Sequence, residues 1–176
     1  MLRLKAVNDE VLYADEEIVA VGGEDVAALR RRLQTAPRGR VRICAHPGVE
    51  SRLHEMFIVL RRGCYIRPHK HIDKAESLLV VEGRADVVLF DDDGAIRRVL
   101  PVGDYASGRL FYYRIDRPCY HTVYARSESL VFHEATEGPL DRSQTVFAPW
   151  SPDEQDAAAS REYWARLGQQ LDAWEG

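Results

Sequence analysis

The chain has 176 residues, 45% of them hydrophobic and 30% charged, with a formal net charge of -4. That length fits one domain and buries about two-thirds of the unfolded surface without disulfide or metal staples. No apolar run reaches the ~18 residues of a membrane span, and the opening MLRLKAVNDEVLYADEE turns acidic before a signal-peptide core can form, so the expected location is the cytoplasm with no membrane partner.

Charge is unevenly spread. Arg30 to Arg67 holds ten arginines against Glu50 and Glu55, whereas the last 49 residues hold ten carboxylates against three arginines. A basic half can bind an anion, or it can complement the acidic half or a second subunit. No Lys/Arg tract with interleaved aromatics occurs, so a nucleic-acid partner is not expected. Cys44, Cys64 and Cys119 are odd in number and far apart, without a Cys-x-x-Cys pair, which reads as buried reduced thiols.

In chain order, the first helix is expected after Gly22-Gly23, where EDVAALRRRLQT sets Val26, Leu29 and Leu33 on one stripe. It should stop before Pro37, because a residue preceding proline avoids helical angles. Runs rich in β-branched and aromatic residues then predict strands at Val41-Cys44, Leu53-Arg61, Tyr65-His71, Glu76-Val81, Ala85-Phe90, Ile96-Leu100, Leu110-Ile115, Thr122-Ala125 and Leu130-Glu134. Asp92-Asp93-Gly94 is the sharpest turn and joins DVVLF to AIRRVL as a hairpin. Gly138-Pro139 through Pro149 reads as coil. A second helix is expected to open at the capping box Ser151-Pro152-Asp153-Glu154 and to carry a stripe of Trp164, Leu167, Leu171 and Trp174. The predicted organisation is all-β: a strand and helix extension over 1–37, a β-sandwich or barrel over 38–150, and an amphipathic helix over 151–176, together one compact domain. Because the Leu78-Val81 run is apolar on both faces and the last helix offers two tryptophans, a homodimer is expected.

The informative segment is GCYIRPHKHIDKAESLLVVEG, residues 63–83. Alternation along a strand puts His69 and His71 on one face, and a strand opening at Glu76 can return a carboxylate against them. Two imidazoles and a carboxylate make a three-ligand face suited to a catalytic metal. Downstream only His121 and His133 remain to supply a fourth ligand, and His121 begins a strand directly after a loop containing Pro118. The expected set is therefore His69, His71, Glu76 and His121 around one divalent transition metal, with zinc, iron, manganese and nickel all acceptable to such donors.

Arg67 and Tyr65 share strand parity with the two histidines and are expected to border the metal cavity. Arg40, Arg42, Cys44 and His46 alternate with Val41, Ile43 and Ala45, so Arg42 can face the same space. A guanidinium inside a barrel would hold a carboxylate or phosphate bidentately, which makes Arg67, Arg42 and Tyr65 the candidate substrate-binding residues. His46 and His54 read as satisfied or solvated histidines, and His133 has the wrong neighbours for a ligand. Tyr112, Tyr113, Tyr120 and Tyr124 read as amphipathic wall residues, and no residue is singled out as catalytic.

Gly63, His69, His71, Glu76 and Gly83 match position for position the first motif of the cupins: glycine, five residues, His-x-His, four residues, glutamate, six residues, glycine. That resemblance implies a double-stranded β-helix, a small jelly-roll barrel with the metal in its mouth. The second motif departs from the pattern. Asp116 and Pro118 stand where proline and glycine are usual, Ala125 replaces the asparagine, and His121 alone matches. From Arg38 to Pro152, about two-thirds of the chain, RGRVRICAHP, LHEMFIVL, YIRPHKH, VVLFDDDG, EGP and FAPW resemble the WbuC family of cupin-fold metalloproteins, named from O-antigen clusters. The resemblance implies metal and fold. It is compatible with an isomerase, epimerase or dioxygenase acting on a small anionic sugar derivative in surface-polysaccharide biosynthesis, and equally with a non-catalytic sugar-binding or structural module.

Overall fold

In a computed structural model, which describes residues 1–174, the chain runs β1 (Leu4–Ala6), β2 (Val11–Ala14), α1 (Gly23–Leu33), β3 (Arg40–Cys44), β4 (Leu53–Arg61), β5 (His69–His71), β6 (Glu76–Glu82), β7 (Arg84–Phe90), β8 (Ile96–Gly103), β9 (Tyr112–Ile115), β10 (Tyr120–Ala125), β11 (Ser129–Glu137), β12 (Thr145–Phe147) and α2 (Ala157–Asp172). Hydrogen bonding sorts the strands into a seven-stranded sheet, β1-β2-β3-β4-β11-β6-β9, and a five-stranded sheet, β12-β5-β10-β7-β8. β2 and β3 run parallel; the other pairings are antiparallel.

The two-residue period of each strand decides what lies between and outside the sheets. Cys44, Met56, Ile58 and Leu60 turn inward and meet Val87, Val123 and Ala125 of the opposite sheet. Val41, Ile43 and Val59 turn outward and are covered by Val26, Leu29 and Leu33 of α1. On the other flank Trp164, Leu167 and Leu171 of α2 cover Val88, Phe90 and Tyr120. Helix, sheet, sheet and helix thus form four layers, and strands covered on both faces lose the apolar-polar alternation of a solvated strand. No helix among the described residues is long and apolar enough to cross a membrane.

Three segments depart from the sequence expectations, each for a local reason. Tyr65 to Pro68 is not strand; only His69–His71 joins the ladder. The preceding stretch is held instead by a hydrogen bond from Thr122 Oγ1 to the Ile66 carbonyl (2.6 Å) and from the Ala148 amide to the Pro68 carbonyl (2.9 Å). The expected coil over 138–149 contains β12, which pairs Thr145, Val146 and Phe147 with His71, Lys70 and His69. The second helix opens at Ala157 rather than Ser151, capped by Asp156 accepting from the Ala159 amide (3.0 Å). Asp153 and Glu154 are drawn away from any capping box by Arg67 and Arg40. In the N-terminal extension, β1 and β2 form a hairpin that lengthens the seven-stranded sheet, and Glu10 just before β2 is buried against Arg38.

Gly83 is required by the β6–β7 turn. Its φ is 91°, and a Cβ there would stand 2.6 Å from the Ser129 carbonyl oxygen. Left-handed backbone and a blocked side chain both demand glycine.

Leu29 is 1% exposed and anchors α1 to the sheet. Leu29→Ala is expected to cost about 2–5 kcal/mol in denaturant unfolding. Ile18→Ala, at a side chain 81% exposed, should stay within about 0.5 kcal/mol.

Candidate metal centre

β5 is only three residues long, and its register places two imidazoles where they are needed. His69 and His71 share a face, and β10 runs antiparallel beside them with His121 opposite His69. Glu76 comes from the other sheet. It opens β6, between Thr136 of β11 and Ile115 of β9. Three imidazoles of the five-stranded sheet therefore face one carboxylate of the seven-stranded sheet across the interior, and the strand that returns Glu76 against His69 and His71 is not their ladder neighbour. Each residue offers a ligand atom within 4.8 Å of the others.

The rings are aimed from behind. His69 Nδ1 donates to the Arg67 carbonyl (2.9 Å) and His121 Nδ1 to the Cys119 carbonyl (3.0 Å), while His71 Nδ1 meets Thr145 Oγ1 (3.2 Å). A carbonyl only accepts, so those two Nδ1 atoms carry the hydrogen and leave Nε2 as a lone pair, the arrangement that orients metal-binding histidines. His71 Nε2 is 3.0 Å from Glu76 Oε2. His121 Nε2 is 3.3 Å from Glu76 Oε1 but makes no hydrogen bond, so a buried nitrogen is left without a partner. Such atoms are rare and costly, and a cation here would satisfy this one. The donor set fits a divalent transition metal.

Electrostatics agree with that fit. Burial pushes the Glu76 carboxyl up, but His121, His71 and His69 outweigh it and hold the group well below the usual carboxylate range. Burial, reinforced by the charge of His121, depresses His69 to about 4, so its imidazole is neutral and available as a ligand. His121 is drawn down by burial yet raised overall by the adjacent Glu76. The Tyr113 hydroxyl donates to Glu76 Oε1 (3.5 Å), and burial, followed by the Glu76 charge, drives the phenol well above its ordinary value.

A cavity of about 280 Å³ opens from this cluster. Its far wall follows inward-facing rows of the seven-stranded sheet. One row runs Arg42, Ile58, Phe132, Val80; the next runs Tyr13, Cys44, Met56, Glu134, Leu78, Tyr113. Arg42 borders the cavity, as its place on the polar face of β3 implies. Arg67 and Tyr65 do not. The Arg67 guanidinium is turned to Asp153 (2.7 Å) and Ser151 and lies over the Phe147 ring. The Tyr65 hydroxyl donates to the Pro152 carbonyl (2.9 Å), with its ring against Trp164. Both expectations assumed that strand parity extended back through Pro68; the ladder begins only at His69, so the side chains before it follow the C-terminal segment instead.

His46 and His54 stack at 4.2 Å at one end of the cavity, each tied to a backbone carbonyl. His133 faces outward, beside Phe57. Sequence reasoning missed Glu134, and it placed Tyr113 among wall residues without its bond to Glu76. Phe132 is buried in the core, and period two places Glu134 on the same inward face; that parity was the available signal. Burial pushes Glu134 up to about 8, helped by the negative charge of Glu76.

Among solved structures the chain is similar to CapF in complex with 3-isopropenyl-tropolone, with TM-score 0.52 and 14% identity over 64% of this chain and 32% of that one. It is similar also to oxalate oxidase in complex with the substrate analogue glycolate, with TM-score 0.50 and 13% identity over 78% and 74%. The match to procruciferin from Brassica napus has TM-score 0.47 and 17% identity, covering 59% of this chain and 26% of that one. The chain thus spans about a quarter of procruciferin and a third of CapF. CapF and oxalate oxidase are cupin-fold proteins, and by that likeness the fold here is a cupin fold, with a three-histidine, one-glutamate cluster that could hold a metal between its sheets. Residues 22–101 match a family model described as a domain of unknown function, DUF6016. No curated protein matches.

Because His69 is oriented by the Arg67 backbone carbonyl and not by its guanidinium, Arg67→Ala should leave metal content unchanged. It should loosen the segment around Ser151–Asp153, at a cost of about 1 kcal/mol for a partly exposed charged contact. Element analysis and amide exchange of that segment check the two halves; loss of metal would return Arg67 to the centre.

Proposed function

We propose that this chain is a metal-dependent cupin enzyme, with His69, His71, Glu76 and His121 holding one divalent transition metal and the adjoining cavity taking a small, oxygen-rich, anionic substrate. The observation that carries the reading is the convergence of four donors from two sheets on one point, with His121 Nε2 buried and unpartnered. A bound divalent ion supplies Lewis-acid polarisation of a substrate oxygen. The protein's own part is to orient the imidazoles through the Arg67 and Cys119 carbonyls, to keep Glu76 ionised, and to restrict water around the ligand. A cavity of about 280 Å³ is at the small end of ligand pockets, which favours a metabolite over a polymer. Isomerase, epimerase and oxygenase chemistry all fit such a site. The proposal extends to a sugar-derived substrate and a place in surface-polysaccharide biosynthesis, although the WbuC resemblance itself implies only the metal and the fold.

Purified without a chelating tag, the protein should carry close to one transition-metal ion per chain, and a His69→Ala, His71→Ala double variant almost none. Equal metal in both would end the assignment.

We also propose a homodimer. Leu79 and Val81 on the outer face of β6, with Phe111 and Tyr112 at the β9 edge, form an exposed apolar patch of the kind that marks interaction sites. Sedimentation at micromolar concentration should show the dimer mass; a monomer there removes the claim.

A further inference from the structure

The arginines on and around β3 differ in what they face. Arg38 is engaged by the buried Glu10, and Arg40 by Glu154 through two nitrogens at 3.1 and 2.8 Å. Arg42, between strands that carry no acid on its row, has no carboxylate partner among the described residues. Its neighbour is the Cys44 thiol, and it lines the cavity. One row away stands Glu134, the single carboxylate in a row otherwise made of Tyr13, Cys44, Met56, Leu78 and Tyr113. Among the described residues its oxygens have no hydrogen-bond or ion-pair partner, and they face the same space. Arg42 and Glu134 are close enough to feel each other's charge, yet no ion pair joins them.

Arg42 is exposed and Glu134 half-buried at the cavity wall, so neither side chain is committed to the core and both can meet a ligand that enters. A donor that reaches Glu134 finds an acceptor with no protein partner. A guanidinium fork at the same wall is shaped for a carboxylate. A ligand that met both would need an anionic oxygen pair at one end and a hydroxyl a few atoms away, and it would then lie against the histidine cluster opposite.

We propose that Arg42 and Glu134 form a two-point recognition site for a small hydroxylated carboxylic acid, Arg42 receiving the carboxylate and Glu134 pairing with a hydroxyl. This deepens the metal-enzyme reading and rests on it only for what happens at the ligand's other end. Glu134 is thereby a specificity residue for the cavity, and Lys74, which also lines it, adds to the field that draws an anion in.

The test is calorimetric titration of the protein as purified with three probes: D-gluconate, D-glucose, which lacks the carboxylate, and hexanoate, which lacks the hydroxyls. Wild type should bind gluconate about tenfold or more tighter than either, the scale of one hydrogen bond to a charged group. Arg42→Gln should abolish the preference over glucose and keep that over hexanoate; Glu134→Leu should do the reverse. Glu134→Gln, which keeps the shape and an acceptor oxygen, should restore much of what the leucine loses and guards against a folding defect. Metal content, read by element analysis on each variant, should match wild type. Glucose or hexanoate binding as well as gluconate, unchanged affinities in both variants, or no binding of any probe at millimolar concentration overturns the two-point site. Wild type that discriminates the probes but carries no metal as purified would instead leave this site standing and remove the metal reading.

Discussion

Glu76 lies between two sheets, with imidazoles on one side and the Tyr113 hydroxyl on another, and a charge so placed needs compensation from every neighbour. His71 supplies a hydrogen-bonding nitrogen, His121 a nearby one that is not bonded, and Tyr113 an additional donor. The Glu76 charge is thus held ionised, and what stays without a hydrogen-bond partner is the His121 nitrogen beside it. The same negative charge lies two residues along the ladder from Glu134, on the neighbouring strand of the same sheet, where burial first and that charge second favour the protonated acid. A single carboxylate thus bears on the imidazoles opposite it and on a second carboxyl of its own sheet.

The basic stretch from Arg30 to Arg67 turns out to be a set of separate appointments rather than a patch. Arg38 and Arg40 bind the N-terminal Glu10 and the C-terminal Glu154, and Arg67 binds Asp153. Part of the charge asymmetry between the middle and the end of the chain is thus answered within the chain, where Asp153 and Glu154 fold back on Arg67, Arg38 and Arg40. Arg42, on the cavity wall, has no acid on its row.

Three of the four candidate ligand positions were legible because they are tied to short spacings: His-x-His, a glutamate five residues on, and glycines that close turns where a Cβ would strike backbone, as at Gly83; His121 was legible only as one of two downstream histidines. The strands from β3 to β11 were legible from β-branched and aromatic runs, and the helix stripes from Val26, Leu29 and Leu33 and from Trp164, Leu167 and Leu171. What the sequence concealed depended on long-range pairing. β12 is three residues whose only reason to be strand is the β5 edge beside it. Arg67 and Tyr65 were misplaced because local parity cannot reveal that Asp153 and Pro152 wait more than eighty residues away. Glu134 could have been found from Phe132 by period two, but a lone acid in an apolar strand reads as an outward residue until the neighbouring row is known.

Residue 67 has two attachments of opposite kind. Its carbonyl steers the His69 ring, and its guanidinium grips Ser151 and Asp153 at the approach to α2. β12 adds a second tie, since Thr145 touches His71 and Phe147 pairs with His69. The terminal helix is thereby joined to the imidazoles by a few rigid bonds, and such joining is thermodynamically reciprocal. Whatever free energy an ion gains from a well-docked α2, α2 gains in equal measure from the ion, so occupancy of the centre and fastening of the chain's last helix are one equilibrium seen from two ends.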